Sequence, residues 1–148
     1  MAAFIGIDLG TTFSAVARID DIGAPAIVHN SEGSNITPSV VEFRSDNVVD
    51  VGEIARKNRG LEDNVLGGFK RDMGTDTTYD VNGESYTPTQ LSTFVLKKLK
   101  QDAEAALGSI GEAIVTIPAN FSHEARAATM AAAKAARLKI KHIINEPT

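Results

Sequence analysis

Asp8-Leu9-Gly10-Thr11-Thr12 places a carboxylate at the end of an apolar run, a glycine two residues on, and two hydroxyls directly after it. Those residue types at that spacing suit phosphate binding. Glycine lets the backbone approach a phosphate, the amides of Thr11 and Thr12 can point at its oxygens, and Asp8 can hold hydrated magnesium against them. The same five residues also suit a hairpin turn in which Asp8 caps loose amides, and on residue types alone both readings stand. Asp50-Val51-Gly52 repeats the Asp-x-Gly spacing and reads as turn chemistry alone. Elsewhere, Lys70-Arg71 by itself reads as a solvated pair, Arg126 as a salt-bridge partner on a helix, and Glu146 as a strand end before a proline. His123-Glu124 opens like a zinc-protease helix, but Ala127 stands four residues after His123, so no zinc site is expected. His29 and His142 are isolated and read as structural.

The phosphate-type turn needs strands on both sides. Phe4 to Leu9 is apolar and partly β-branched, and Phe13 to Ile19 alternates large and small residues, which predicts strand, tight turn, strand. A third strand is expected near Ala26-Val28, before a polar loop from Asn30 to Pro38. From Val40 to Gly83 the pattern is choppier, with strands expected at Val40-Phe43 and Thr77-Val81 and a helix from Glu53 to Arg59. Thr87-Pro88-Thr89-Gln90 supplies a cap, a first-turn proline and a third-position Gln, so a helix starts there. Leu91, Phe94, Val95, Leu99 and Ala103 share one face of that helix, and Gly108 ends it. Glu112 to Ile117 reads as a strand, Ser122 as the cap of a helix to about Arg137, and Lys139 to Ile144 as a last strand. Ala125, Ala128, Ala132 and Ala136 form a small-residue stripe that lets the helix press on a sheet. An antiparallel meander followed by strand, helix, strand predicts a mixed sheet with a parallel crossover.

Composition narrows the function classes. A chain of 148 residues can bury roughly 70% of its unfolded surface in one core. Its 43% hydrophobic and 23% charged residues are those of an ordinary globular domain. A net charge of −4 offers no basic field for a nucleic-acid backbone, so nucleic acid is not an expected partner. The absence of cysteine removes disulfide and thiolate chemistry and fits a reducing compartment. Met1 to Asp8 lacks the basic start of a signal peptide, and no stretch is long enough to cross a bilayer, so a cytoplasmic protein without membrane contact is expected.

Five segments, in order and at matching spacing, resemble the seventy-kilodalton heat-shock chaperones. Ile5 to Thr12 resembles that family's first phosphate loop, and Asn35-Ile36-Thr37-Pro38-Ser39-Val40-Val41 its threonine-proline-serine loop. Phe69-Lys70-Arg71 with Met73-Gly74 is similar to the segment carrying its catalytic lysine. Val115-Thr116-Ile117-Pro118-Ala119-Asn120-Phe121 and Ile144-Asn145-Glu146-Pro147-Thr148 resemble its valine-threonine-proline-alanine strand and its hinge-side segment.

The resemblance implies an actin-like, ribonuclease-H-like α/β fold. Residues 1–36 and 113–148 would form a base subdomain with the first phosphate loop, and 37–112 an inserted α/β subdomain. It implies ATP or ADP with Mg2+ as ligands, Asp8 in the magnesium shell, and Gly10, Thr11, Thr12 and Phe13 against the nucleotide. Lys70 and Glu146 would be the catalytic pair, and Pro147 with Arg126 an allosteric relay. In the full-length context, the implied partners are a J-domain co-chaperone, a nucleotide exchange factor and unfolded client peptides. A second phosphate loop and the adenosine-binding residues would lie beyond Thr148, so this lobe alone is expected to lack turnover and to offer an exposed face for a dimer. An actin-like sugar kinase or filament protein, and a non-catalytic module for co-chaperones, are the alternative readings. Three positions depart from the family: Phe13 loses a polar group beside the loop, Gly67-Gly68 implies a more flexible approach to Lys70, and Asn120 replaces a common tyrosine.

Overall fold

A computed structural model describes residues 2–44, 48–61 and 64–145. β1 (Ala3–Asp8), β2 (Phe13–Ile19) and β3 (Pro25–Val28) form the expected antiparallel meander, each strand paired with the one before it. β4 (Thr37–Pro38) pairs back onto the start of β2, opposite Phe13 and Ser14. Far along the chain, β10 (Ile110–Ile117), α3 (His123–Ala135) and β11 (Lys139–Asn145) make the crossover unit, with β10 parallel to both β1 and β11. The sheet is therefore mixed, in the order β11-β10-β1-β2-β3. Its three parallel strands end at the same edge, where Asp8 pairs with Thr116 and Ile117 with Asn145.

Alternation decides which face of that sheet is covered. Ile5, Ile7, Val16, Val115 and Ile117 are fully or nearly fully buried in one cluster with Leu91, Val95 and Leu99 of α2 (Pro88–Leu107) and Ala132 of α3. Each such Val, Leu or Ile stabilises the fold by roughly 1.5–3 kcal/mol relative to exposure. α2 starts where expected: the Thr87 hydroxyl accepts from Gln90 N–H at 3.1 Å, and the Gln90 side chain accepts from Thr87 N–H at 2.8 Å. On α3 the buried stripe is Ala125, Thr129, Ala132, Ala133 and Ala136. Ala128 sits at its margin, and Thr129 takes its place because its hydroxyl donates to Ala125 O at 2.9 Å and buries no unpaired polar group.

The middle of the chain holds more strand than its pattern suggests. β5 (Val40–Phe43) is flanked by β6 (Val49–Val51) and β7 (Val65–Gly67), and a hairpin joins β8 (Tyr79–Val81) to β9 (Glu84–Tyr86). Four of these are three-residue strands too short to show a period. Asp50-Val51 thus belongs to a strand rather than to a turn alone, and only Gly52, at φ 97°, makes the bend into α1 (Glu53–Lys57). That helix stops at Lys57, short of Arg59, because Asn58 caps it.

Two contacts hold the loop after β3 in place. Asn30 Oδ1 accepts from the N–H groups of Glu32 and Ser34, while its amide donates to Ile36 O and Thr37 Oγ1. Lys98 of α2 then donates to Glu32 at 2.8 Å and to Asp102 Oδ1 at 3.2 Å, with Asp102 Oδ2 at 2.9 Å as an ion pair outside hydrogen-bond alignment. Partial burial works against both charges. The ammonium nevertheless holds Glu32 below the ordinary carboxylate range, and the two carboxylates hold Lys98 above the ordinary lysine range.

Two predictions follow from this packing. Arg137 ends α3 at φ 61°, with the N–H of Leu138 donating to Ala133 O at 3.0 Å, a left-handed helix end that favours glycine. Arg137→Gly should raise stability by about 0.5–1 kcal/mol in urea unfolding. Lys98→Met should cost about 1–3 kcal/mol near neutral pH, because Asp102 stays buried without its cation. Glu32's contribution holds above its ordinary 4.5 and fades as pH falls through the lower folded value. Lys98's holds below 10.5 and fades as pH rises through the higher one, so the gap between parent and variant should narrow at both extremes.

Candidate functional site

The turn between β1 and β2 is built so that two of its amides stay available. Gly10 N–H donates to Ser14 Oγ at 3.2 Å, Ser14 and Ser39 share a hydroxyl contact at 2.8 Å, and Ser39 donates to Gly10 O at 2.9 Å. Because Ser39 spends its single proton on Gly10 O, Ser14 must be the donor in the shared bond. The bonds close a ring that starts and ends on one residue, Gly10. Both serines are almost completely buried, at 1% and 2% exposure, so neither hydroxyl has water as an alternative partner. Ser39 N–H also donates to Thr12 O at 2.9 Å. A Cβ at Gly10 would stand 2.0 Å from Phe13 O, which admits no residue but glycine.

Thr11 and Thr12 lie at the tip of this turn, and among the described residues their N–H groups donate no hydrogen bond. Unspent donors on a braced glycine turn are what an anionic ligand needs. Asp8 is exposed at the end of β1, with the Thr116 hydroxyl 3.4 Å from its Oδ1. No group of three or more metal-ligating side chains gathers among the described residues. A magnesium ion here would take its remaining ligands from water and phosphate oxygens, its usual preference, and a lone carboxylate fits that.

Lys70 reaches the same place from 61 residues away. It lies on a 3-10 turn, Phe69–Asp72, entered through Gly68 at φ 71°, and it is only 4% exposed. Its ammonium donates to Leu9 O, at the base of the turn, and stands 5.4 Å from the Phe121 ring centroid. The turn itself is anchored twice. Asp72 accepts from the Tyr79 hydroxyl, whose pKa is pushed up to about 12 by burial and by that bond. Gly74 packs against the start of α3, where a Cβ would meet Ala125 N at 2.6 Å. Gly68 is thus a conformational requirement.

The structure brings Asp8, Gly10, Thr11, Thr12 and Lys70 together, and it spreads the other candidates around them. Phe13, at 42% exposure, forms a wall of a separate cavity of about 380 Å³ with Ile36 and Pro38. Asp8, Thr11, Thr12 and Lys70 lie outside that cavity. Arg126 donates to Asn145 Oδ1 at 3.2 Å, at the end of β11 and two strands, about 10 Å, from Asp8's strand. Glu146 and Pro147 lie outside the described residues. Ser14 was not among the residues expected to matter, and Ser39 and Thr116 entered only as parts of matching segments. Ser14's signal is a polar residue at an inward position of a strand, beside Val16.

A family model described as Hsp70 protein matches this chain over residues 4–81 and 75–148. The matched range takes in the phosphate-type turn, Lys70 and Arg126.

Removing one serine breaks the ring and leaves a buried group without a partner. Ser39→Ala should therefore destabilise the chain by about 1–3 kcal/mol in urea unfolding. Ser14→Ala combined with Ser39→Ala should cost clearly less than the sum of the single changes, since the two share one bond. Additive costs would show that the ring does not act as a unit.

Proposed function

The chain belongs to the Hsp70 protein family, and on that premise we propose that it supplies the first phosphate-gripping side of a magnesium-dependent ATPase whose nucleotide cycle drives protein folding. Membership sets aside the sugar-kinase and filament alternatives. One observation carries the proposal: the buried ammonium of Lys70 is held at the base of a turn whose Thr11 and Thr12 amides donate no hydrogen bond among the described residues.

Each residue then has a distinct task. Thr11 and Thr12 bind phosphate oxygens through backbone N–H groups that need no rearrangement, because the serine ring has already fixed the peptide beside them. Lys70 places a positive charge beside the transferred phosphoryl group and orients attacking water, and its burial strengthens that charge's reach. Asp8 holds a magnesium-bound water. Bound magnesium supplies charge neutralisation between neighbouring phosphates. Glu146 is assigned to the water side of the site, and Arg126, through Asn145, to the relay with Pro147 toward a client-binding part.

The subdomain reading goes with this. Residues 1–36 and 113–148 act as a base and 37–112 as an insertion whose 3-10 turn delivers Lys70. The partners in that cycle are a J-domain co-chaperone, a nucleotide exchange factor and unfolded peptides.

Two substitutions test the assignment. Asp8→Asn should reduce the magnesium dependence of ATP-induced shifts at the Thr11 and Thr12 amides, read by NMR titration. An unchanged magnesium dependence would remove Asp8 from the metal shell. Lys70→Ala, placed in a chain that turns over ATP, should abolish hydrolysis while nucleotide affinity stays within about tenfold, since its charge acts mainly at the transition state. Undiminished steady-state hydrolysis would take Lys70 out of the mechanism.

A further inference from the structure

Two arginines converge on the glycine pair that leads into the Lys70 turn. The Arg59 guanidinium lies flat against Gly67, so closely that a Cβ there would meet its Cζ at 2.7 Å and its Nη1 at 2.8 Å. A Cβ at Gly68 would stand 3.7 Å from Nη2 of Arg59 and also 3.7 Å from Nη2 of Arg71. The two nitrogens are therefore separated by no more than twice that distance. Both side chains are exposed, and neither guanidinium forms a hydrogen bond or ion pair among the described residues. Asp72, the carboxylate next to Arg71 in sequence, is engaged with the Tyr79 hydroxyl.

Two cations side by side repel, and among the described residues neither has a carboxylate partner, in a chain whose net charge of −4 supplies carboxylates in excess. Their placement makes sense with an anion between them. A tetrahedral oxyanion accepting a hydrogen bond from each side spans a gap up to that limit, since guanidinium N–H groups bond oxyanions at about 2.7–2.9 Å in a fixed fork. Two positive charges match a dianion. Gly67 and Gly68 leave the floor of this cradle clear of side chains, and Gly68 needs its left-handed φ of 71° to turn the chain there.

We propose that Arg59 and Arg71, closing over Gly67-Gly68, form a binding site for inorganic phosphate, distinct from the Gly10–Thr12 turn. The site does not depend on the ATPase reading, because its chemistry is that of the two guanidinium forks alone. If that reading holds, its position directly before Lys70 places it to receive the phosphate that hydrolysis releases.

Titrating inorganic phosphate into the chain, with the Gly67 and Gly68 amides followed by NMR at constant ionic strength, tests the site. The shifts should saturate at about millimolar phosphate. Sulfate should compete and chloride should not. Arg59→Gln and Arg71→Gln should each weaken binding at least about tenfold, and Gly67→Ala should do so too by lifting Arg59 off the backbone. Lys57→Gln, a neighbouring exposed cation, should leave it unchanged. Retained amide dispersion in each variant confirms that it is folded. Phosphate binding of undiminished strength in the Arg59→Gln, Arg71→Gln double variant would overturn the proposal, as would saturable shifts confined to Thr11 and Thr12. A loss of equal size in Lys57→Gln would also overturn it, since it would mean only diffuse charge attraction.

Discussion

A turn that binds anions must satisfy its own backbone without using the amides it offers to the ligand. Here that constraint is met by two side chains from different strands. Ser14 comes from β2 and Ser39 from the junction of β4 and β5, and together they consume the N–H and the C=O of Gly10. The bracing works only if β4 pairs onto the start of β2, and β4 is placed by the Asn30 loop, which Lys98 ties to α2. Local geometry at the tip is thus fixed by a chain of contacts running back into the helical layer.

Lys70 presents the opposite problem. Burying an ammonium costs several kcal/mol in desolvation, and the fold accepts that cost only where acceptors are arranged in advance. Leu9 O is such an acceptor, a carbonyl at the end of a strand where ladder pairing has stopped, and the Phe121 ring adds its electron-rich face. A 3-10 turn is a suitable carrier because its tight pitch buries Lys70 beside Phe69 while its ends are pinned elsewhere. The pins are the Tyr79–Asp72 bond on one side and the contact of Gly74 with α3 on the other.

Much of this was legible in the sequence, and the exceptions share a cause. The meander, the Thr87 capping box, the crossover helix and the mixed sheet were readable because each shows a period or a local signal. β6, β7 and β9 were not, since three residues cannot display alternation, and they are strands only because β5 and β8 lie beside them. At the site, the glycine and hydroxyl pattern of Gly10–Thr12 suited phosphate and a plain hairpin turn alike, and Lys70-Arg71 read as an ordinary surface pair. Only its resemblance to a family segment suggested otherwise, because the fact that matters, a carbonyl 61 residues away, is a tertiary one. The Ser14–Ser39 bond is of the same kind.

Gly67-Gly68 shows how one dipeptide can carry two meanings. As sequence it suggests looseness before Lys70. In three dimensions Gly67 ends a paired strand, and Gly68 holds the single left-handed conformation that starts the 3-10 turn. The missing side chain of Gly67 does not leave the segment slack, because the Arg59 guanidinium occupies the space a Cβ would take there. The flexibility that glycine permits is therefore removed by packing, and what remains is a smooth backbone floor under two cations, immediately before a buried third.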